Sequence, residues 1–551
     1  MILDKLKEKI SETAKAAGYT ELVVFDISEP PKGAKADYAT NIALVIANSL
    51  KINPKEVAEK IADMVKPDEM VKEAIVAGPG FININLNQKY YRKTLSEILE
   101  QDEKFGQSDK GSGKLVNVEF ISANPTGPLH IGNARSGPIG EMISNLFENF
   151  GYRVEREFYI NDIGGQVNRL AETIYYWFEK SNGFDVNLPE NGYPGEYLKI
   201  ISSEIFSECK SKLAEIKNKE DFIEFFKEEG LRKIIEIIKS DVELLGIKFD
   251  IWYSQKKLEE SGSAEKIIDD LTEKGLTASK EGALWFKNPA DPELLDKESV
   301  LRKSDEAKTL TYFADDLAYH KEKLDRGNEL VVNVWGSNHH GHIPRLKAAM
   351  KALGYSDEKI KIILYQYVRL KNGDEIMKMG KRFGNFVTLR QLLEAGVSAD
   401  AFKYFIISQN TNTPIDFDVE LAKERSEKNP VFYIEYAHAR ICSILRKAKE
   451  EGIGDGEADL ALLKEESEIR LMRELAKYPD TLAEIMKDFQ IQLLPHYIYK
   501  IAGMFHEFYT NCVVLSDDKN LTLARLELIK AAKIVIANGL KICDIEAPEK
   551  M

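Results

Sequence analysis

Residues 115–140, LVNVEFISANPTGPLHIGNARSGPIG, change character twice within a short span, and this limits the folds open to the chain. Residues 115–121 alternate and are rich in Val, Phe and Ile, the pattern of a strand. Residues 122–128 gather Ser, Asn, Thr, two prolines and a glycine, the composition of a loop. Beyond them Ile139, Ile143, Leu146, Phe147 and Phe150 recur at helical spacing, which puts His130 at or just before the first turn of a helix. A strand that runs through a loop into a helix is the repeating unit of a parallel α/β sheet. The start of such a helix presents unpaired N–H groups and a partial positive charge, a setting suited to phosphate. Gly127 and Gly132 would let a ligand come close to the backbone.

At 551 residues the chain is too long for one hydrophobic core, so at least three domains are expected. A hydrophobic content of 44% with 30% charged residues marks a folded globular protein rather than a disordered one. Residues 1–19 are charged and amphipathic and lack the apolar stretch of a signal peptide. No run approaches the ~20 apolar residues that cross a bilayer, so a cytoplasmic protein with no membrane partner is expected. Cys209, Cys442, Cys512 and Cys543 are too scattered for zinc-ligand spacing and fit buried thiols in a reducing compartment. The formal charge of −14 disfavours nucleic acid unless Lys and Arg gather in local patches, and binding would then be strongly salt-dependent.

His-Ile-Gly alone fits any crossover with a surface histidine. The longer string at residues 123–133, ANPTGPLHIGN, resembles the first signature of class I aminoacyl-tRNA synthetases in the form carried by arginyl-tRNA synthetases. The resemblance implies a Rossmann-like parallel-sheet catalytic domain (α/β), preceded by an N-terminal α+β domain and followed by an all-α helical bundle. The expected division is 1–105, 106–410 with a helical insertion at about 185–250, and 411–551. Residues 37–41 and 78–83 resemble the family's N-terminal domain, which touches the corner of the tRNA. Polar residues and glycines at 102–114 read as a linker. Asn161-Asp162 followed by Gly164-Gly165 marks a second strand end that should face the same crevice as His130. Residues 193–197, YPGEY, continue the likeness, and the charged helices after them read as a connector between two halves of the sheet.

Residues 378–396, KMGKRFGNFVTLRQLLEAG, resemble the second class I signature, whose Lys378, Lys381 and Arg382 would meet a triphosphate. Positioned cations stabilise charge as it moves onto phosphate oxygens. The resemblance therefore assigns catalysis to His130, Lys378 and Lys381, and ATP binding to these three together with Pro125, Gly127, Gly132, Asn133 and Met379. A guanidinium carries five donors in a rigid fork and is met best by a carboxylate. Asp316, with Tyr312 beside it, is the matching position for the arginine side chain, and Glu119, Asn124 and His339 complete the arginine set. Two positions depart from the usual signatures: Asn133 replaces a second histidine and Gly380 replaces a serine; Asn338 also stands where the family more often has Asp. His339, His340 and His342 lie close together but lack an evident carboxylate or cysteine partner, so no protein-bound metal is expected beyond the Mg2+ that accompanies ATP.

From about residue 410 the chain reads as nearly continuous helix, resembling the family's anticodon-binding domain through to IEAPEKM. Leu494, Ile498, Ile501, Phe505 and Phe508 form a core stripe, whereas Tyr436 and Arg440 suit RNA, by base stacking and a backbone contact. The implied function is the ATP-dependent joining of arginine to tRNA(Arg) by a monomer, with bound tRNA required for arginine activation. One rival is a tRNA-binding paralogue that no longer catalyses. The other is a class I synthetase for another amino acid, which would leave Asp316 unpaired.

Overall fold

A computed structural model describes the chain apart from residues 21, 22, 32, 35, 288–298, 373, 374, 377–386 and 455. Its central sheet has five parallel strands: β1 (Leu115–Glu119), β2 (Arg153–Ile160), β3 (Ile251–Ser254), β4 (Leu330–Gly336) and β5 (Ile360–Tyr365). Their order is β5-β4-β1-β2-β3. The chain moves outward from β1 to β3 on one side and returns through β4 on the other. The loops leaving the carboxyl ends of β1 and β4 diverge there, and a crevice opens between them.

Alternation along β1 sets what covers each face. Val116 and Val118 point one way and Asn117 and Glu119 the other, all four buried. Helix α1 (Ser136–Asn149) buries Ile139, Ile143, Leu146 and Phe147, the positions predicted from spacing. It lies so close to Phe120 that a Cβ on Gly140 would stand 2.1 Å from that ring. Helix α2 (Gly165–Ser181) follows β2, as the Asn161 to Gly165 turn predicts.

Next comes a helical arm: Glu196–Glu208, Lys210–Glu215 and the long α3 (Lys219–Glu243). It lies between β2 and β3, inside the first half of the sheet and not between the halves as expected. β3 is short and follows the arm directly, so its four residues gave little signal. What separates the halves is residues 255–329, which include a three-stranded antiparallel sheet of Thr277–Lys280, Ala283–Phe286 and Ser299–Arg302. They end in α4 (Tyr312–Asp325).

α4 covers the polar face of β1, where a buried network takes the place of apolar packing. Lys323 Nζ donates to Glu119 Oε2 at 2.6 Å and to Asn333 Oδ1 at 3.1 Å. Glu157 accepts from Asn117 at 2.7 Å, from the Tyr319 hydroxyl at 2.6 Å and from Arg326. Buried charges are tolerated only when paired in this way.

Arg135, fully buried just before α1, is partnered by main-chain carbonyls instead. Its guanidinium donates to the carbonyls of Gln366, Tyr367, Asn410, Thr411 and Thr413 at 2.6–3.3 Å. Burial brings its pKa down to about 10, so the cation persists at neutral pH.

The N-terminal part holds helices Ile2–Ala16, Ile42–Leu50 and Pro54–Met64 and a four-stranded antiparallel sheet. The C-terminal part holds helices from Pro430–Glu450 to Lys519–Ile542, and the stripe from Leu494 to Phe508 is core as expected. Two expectations are corrected. After residue 410 the chain still forms a strand, Ile415–Asp418, parallel to Val368–Asn372. Residues 102–114 are docked rather than linking: Phe105 is buried and stacked on Tyr478, and Asn538 Nδ2 donates to the carbonyls of Asp102 and Phe105. Their backbone takes part in the docking; Gly111 N–H, for example, donates to Phe150 O at 2.8 Å.

The N-terminal and C-terminal parts also meet, because Asp480 accepts from the amides of Ile2 and Leu3. Cys442, Cys512 and Cys543 are buried thiols, and Cys209 is partly exposed. Among the described residues no helix is long and apolar enough to cross a membrane.

Candidate active site

The loop after β1 begins under strain. Ile121 and Ser122 have φ of 66° and 39°, a region that L-residues other than Gly seldom occupy and that a β-branched side chain resists. Three hydrogen bonds hold it: Ile121 N–H to Ser136 Oγ at 3.1 Å, Ser122 Oγ to Glu119 Oε1 at 3.0 Å, and Tyr159 N–H to Ser122 Oγ at 3.0 Å.

The loop ends at His130, the N-cap of helix Ile131–Ala134. His130 Nδ1 accepts from Asn133 N–H at 3.2 Å, so the neutral ring carries its proton on Nε2 and that nitrogen is the donor. The backbone on either side is anchored, since Leu389 N–H donates to Leu129 O at 2.8 Å and His130 forms an antiparallel bridge with Thr388.

Two adjoining cavities occupy the crevice. The larger, about 920 Å³, is lined by Glu119, Asn124, Asn133, Tyr312, Asp316 and His339 among others. All five residues expected to bind arginine therefore face one space. The second, about 650 Å³, is lined by Gly127, His130, Arg169, Tyr193 and Tyr197. The two share Ala123, Asn124, Asn133 and Gln166, so the cavity that His130 lines adjoins the one lined by the arginine candidates.

Pro125 and Gly132 belong to neither lining. At Gly127 the nearest neighbour is protein: a Cβ there would stand 2.8 Å from the Tyr197 hydroxyl. At Gly132 it would stand 3.1 Å from the His130 ring itself. Lys378, Met379, Gly380, Lys381 and Arg382 lie outside the described residues.

The larger cavity is acidic. Glu119 is buried against Lys323. Asp316 Oδ2 lies 2.7 Å from His342 Nε2, in ion-pair range but off the line that a hydrogen bond requires. Asp315 is buried, accepts from Gln255 Nε2 at 3.3 Å, and is pushed up to about 6 by burial, with Glu259 adding to the effect. Burial also pushes His339 below its ordinary value, with Asp316 opposing. Behind Asp316, His320 Nδ1 donates to the Asp316 carbonyl at 2.7 Å and Nε2 accepts from Asn333 at 2.8 Å. Burial lowers its pKa to about 4, so it is neutral. Tyr312, 64% exposed, stands at the rim.

Lys323, Gln255 and Asp315 line or support the site without a motif of their own in the sequence, and His342 stands out there only within the histidine cluster. A lysine seven residues after Asp316, two helical turns along the same face, was the available signal for Lys323. Among the described residues no three His, Cys, Asp or Glu side chains converge as metal ligands. On the C-terminal bundle, Tyr436 is 40% exposed. Arg440 donates to its hydroxyl at 2.7 Å and lies 4.2 Å over the Tyr509 ring.

Comparison with known proteins gives three family matches along the chain. Residues 4–86 match the arginyl tRNA synthetase N terminal domain, 94–425 the catalytic domain of class I (R) tRNA synthetases, and 434–551 the DALR anticodon binding domain. An arginine-tRNA ligase of Carboxydothermus hydrogenoformans is 39% identical over 100% of this chain and 99% of its own length. One from Thermotoga petrophila is 39% identical over 100% of both chains. Among solved structures, Thermus thermophilus arginyl-tRNA synthetase superposes with a TM-score of 0.80 at 21% identity, covering 100% of both chains. Arginyl-tRNA synthetase from Plasmodium falciparum gives 0.75 at 20%, covering 100% of this chain and 99% of that one. At such identities the superpositions speak for the fold.

Proposed function

The chain belongs to the arginyl-tRNA synthetases, and on that premise we propose how its crevice joins arginine to tRNA with ATP. The arginine carboxylate attacks the α-phosphate of ATP, giving arginyl-adenylate and pyrophosphate. The 3′-terminal ribose of tRNA(Arg) then takes the arginyl group, first at its 2′-hydroxyl, and AMP leaves. Both steps depend on positioning and on stabilising moving charge, with no covalent intermediate on the protein.

The observation that carries this reading is the cluster of carboxylates Glu119, Asp315 and Asp316 in one cavity, adjoining a second at a helix start capped by His130. An acidic pocket favours a cationic side chain over a neutral one. In this reading Asp316 and Tyr312 meet the guanidinium. Glu119 and Asn124 hold the α-amino end, and His339 closes the wall. His130 Nε2–H donates to the α-phosphate as its charge grows. Asn133 gives a neutral hydrogen bond where the family signature has a second histidine. Lys378, Met379 and Lys381 are proposed to meet the phosphates on the strength of the second signature. Mg2+ would enter only as the ion carried by ATP, where it would offset phosphate charge.

We further propose three functional regions at 1–105, 106–410 and 411–551; their number and order are supported by the three family matches, which put the second boundary between 425 and 434. The last would read the anticodon, with Tyr436 and Arg440 among its RNA contacts. The chain is taken to act as a cytoplasmic monomer. The non-catalytic rival finds no support, since the curated relatives are arginine-tRNA ligases over their full length. The deciding experiment is pyrophosphate exchange with ATP, total tRNA and each amino acid in turn. Exchange with arginine alone among them is expected; none with arginine would refute the reading.

A further inference from the structure

The helical arm between β2 and β3 grips the first-signature loop at two points. From its first helix, the Tyr197 hydroxyl donates to Thr126 O at 2.5 Å. Near the end of α3, Asp241 Oδ2 accepts from Leu129 N–H at 3.0 Å, one residue before His130. Asp241 closes a buried stripe of Phe226, Gly230, Ile234 and Ile238 on a helix otherwise rich in charge, and it is fully buried itself. A carboxylate at the end of an apolar stripe is costly unless it is bonded on both oxygens.

Its second oxygen is bonded as well. Oδ1 lies 3.0 Å from Arg390 Nη2 and 3.2 Å from Nε, and Arg390 also donates to Ser240 Oγ at 2.9 Å. Arg390 sits in helix α5 (Leu389–Glu394), and the residues that enter α5 are those bridged to Leu129 and His130. One carboxylate thus joins the main chain beside His130, the helix within the second-signature stretch, and the arm. No neutral side chain of this size accepts through two oxygens at once.

We propose that Asp241 is a positioning residue for adenylate formation, fixing where His130 stands through Leu129 and Arg390. This rests on the assignment of His130 made above. Displacing a reacting group by about 1 Å lowers rate on the order of 100-fold. Asp241→Asn, which keeps one acceptor, should therefore lower the kcat of arginine-dependent pyrophosphate exchange by roughly 10- to 100-fold. The KM for arginine should stay within about twofold, since the arginine candidates lie elsewhere in the crevice.

Arg390→Met, at a side chain 40% exposed and so tolerant of change, should lower kcat in the same direction, and Arg390→Lys should recover part of it. The double variant should be no slower than Asp241→Asn alone, because both changes break one joint. Rates are taken per active site, titrated by the adenylate burst at saturating tRNA, so that a loss of folded protein does not register. Unchanged kcat in Arg390→Met, or losses that multiply in the double variant, would overturn the proposal. Absence of exchange in the unaltered protein would instead defeat the functional reading.

Discussion

Lys323→Met removes the cation beneath Glu119 while keeping most of the side-chain volume. The two charges stand 2.6 Å apart with side chains 0% and 5% exposed, so water supplies little screening. Coulomb's law at an effective dielectric of about 20 gives on the order of 6 kcal/mol at that separation. Relaxation, or uptake of a proton by the stranded Glu119, should reduce the measurable destabilisation to about 3–5 kcal/mol. Asn333 loses a donor at the same time. All four tryptophans, Trp177, Trp252, Trp285 and Trp335, lie in this part of the chain, so urea unfolding followed by tryptophan fluorescence reports on it directly. Lys323→Met combined with Glu119→Gln should regain most of the loss, because neither charge is then left buried alone. A single-variant loss under about 1 kcal/mol, or a double variant as unstable as the sum of its parts, would refute the view of this pair as a mutually dependent unit.

His130→Ala should slow adenylate formation by about 10²- to 10³-fold in single-turnover experiments, the usual effect of losing one transition-state donor; a near-normal rate would remove His130 from the chemistry. Asp316→Asn should raise the arginine KM with a much smaller change in kcat, and calorimetry showing unchanged arginine affinity would contradict the assignment. His320 gives a pH signature. Its folded pKa of about 4 lies below its ordinary 6.5, so its stabilisation is complete above 6.5 and is lost as pH falls toward 4. At pH 5 the loss is about 2 kcal/mol. His320→Gln should narrow the gap between urea midpoints at pH 7 and pH 5, and an unchanged gap would count against a neutral buried imidazole.

Where local pattern and chemistry coincide, the sequence was easy to read. The strand, loop and helix at 115–149 were legible because alternation, turn residues and helical spacing follow one another without overlap, and the N-cap position of His130 follows from them. The arginine candidates were legible only through resemblance: Asp315 and Asp316 look alike as letters, and only the fold makes one a buried acid held by Gln255 and the other a partner of His342. Long-range partners were not legible at all. Lys323 meets Glu119 across 204 residues and Asp241 meets Leu129 across 112. Short strands such as β3 carry too few alternations to stand out. The glycines and polar residues at 102–114 have the composition of a free linker, yet their backbone is used in docking.

Arg135 has a consequence for the order in which the protein is made. Its carbonyl partners lie 231 to 278 residues further along the chain. At about 5–20 residues per second, a ribosome reaches the last of them roughly 15–60 s after it passes the arginine. Before the first of them, Gln366, is made, the guanidinium has none of these carbonyls to bond, and the turn that follows His130 lacks this support. A nascent chain stopped short of Gln366 would hold the whole first signature and none of these partners, so the signature is seated only after the last strand of the central sheet has been made.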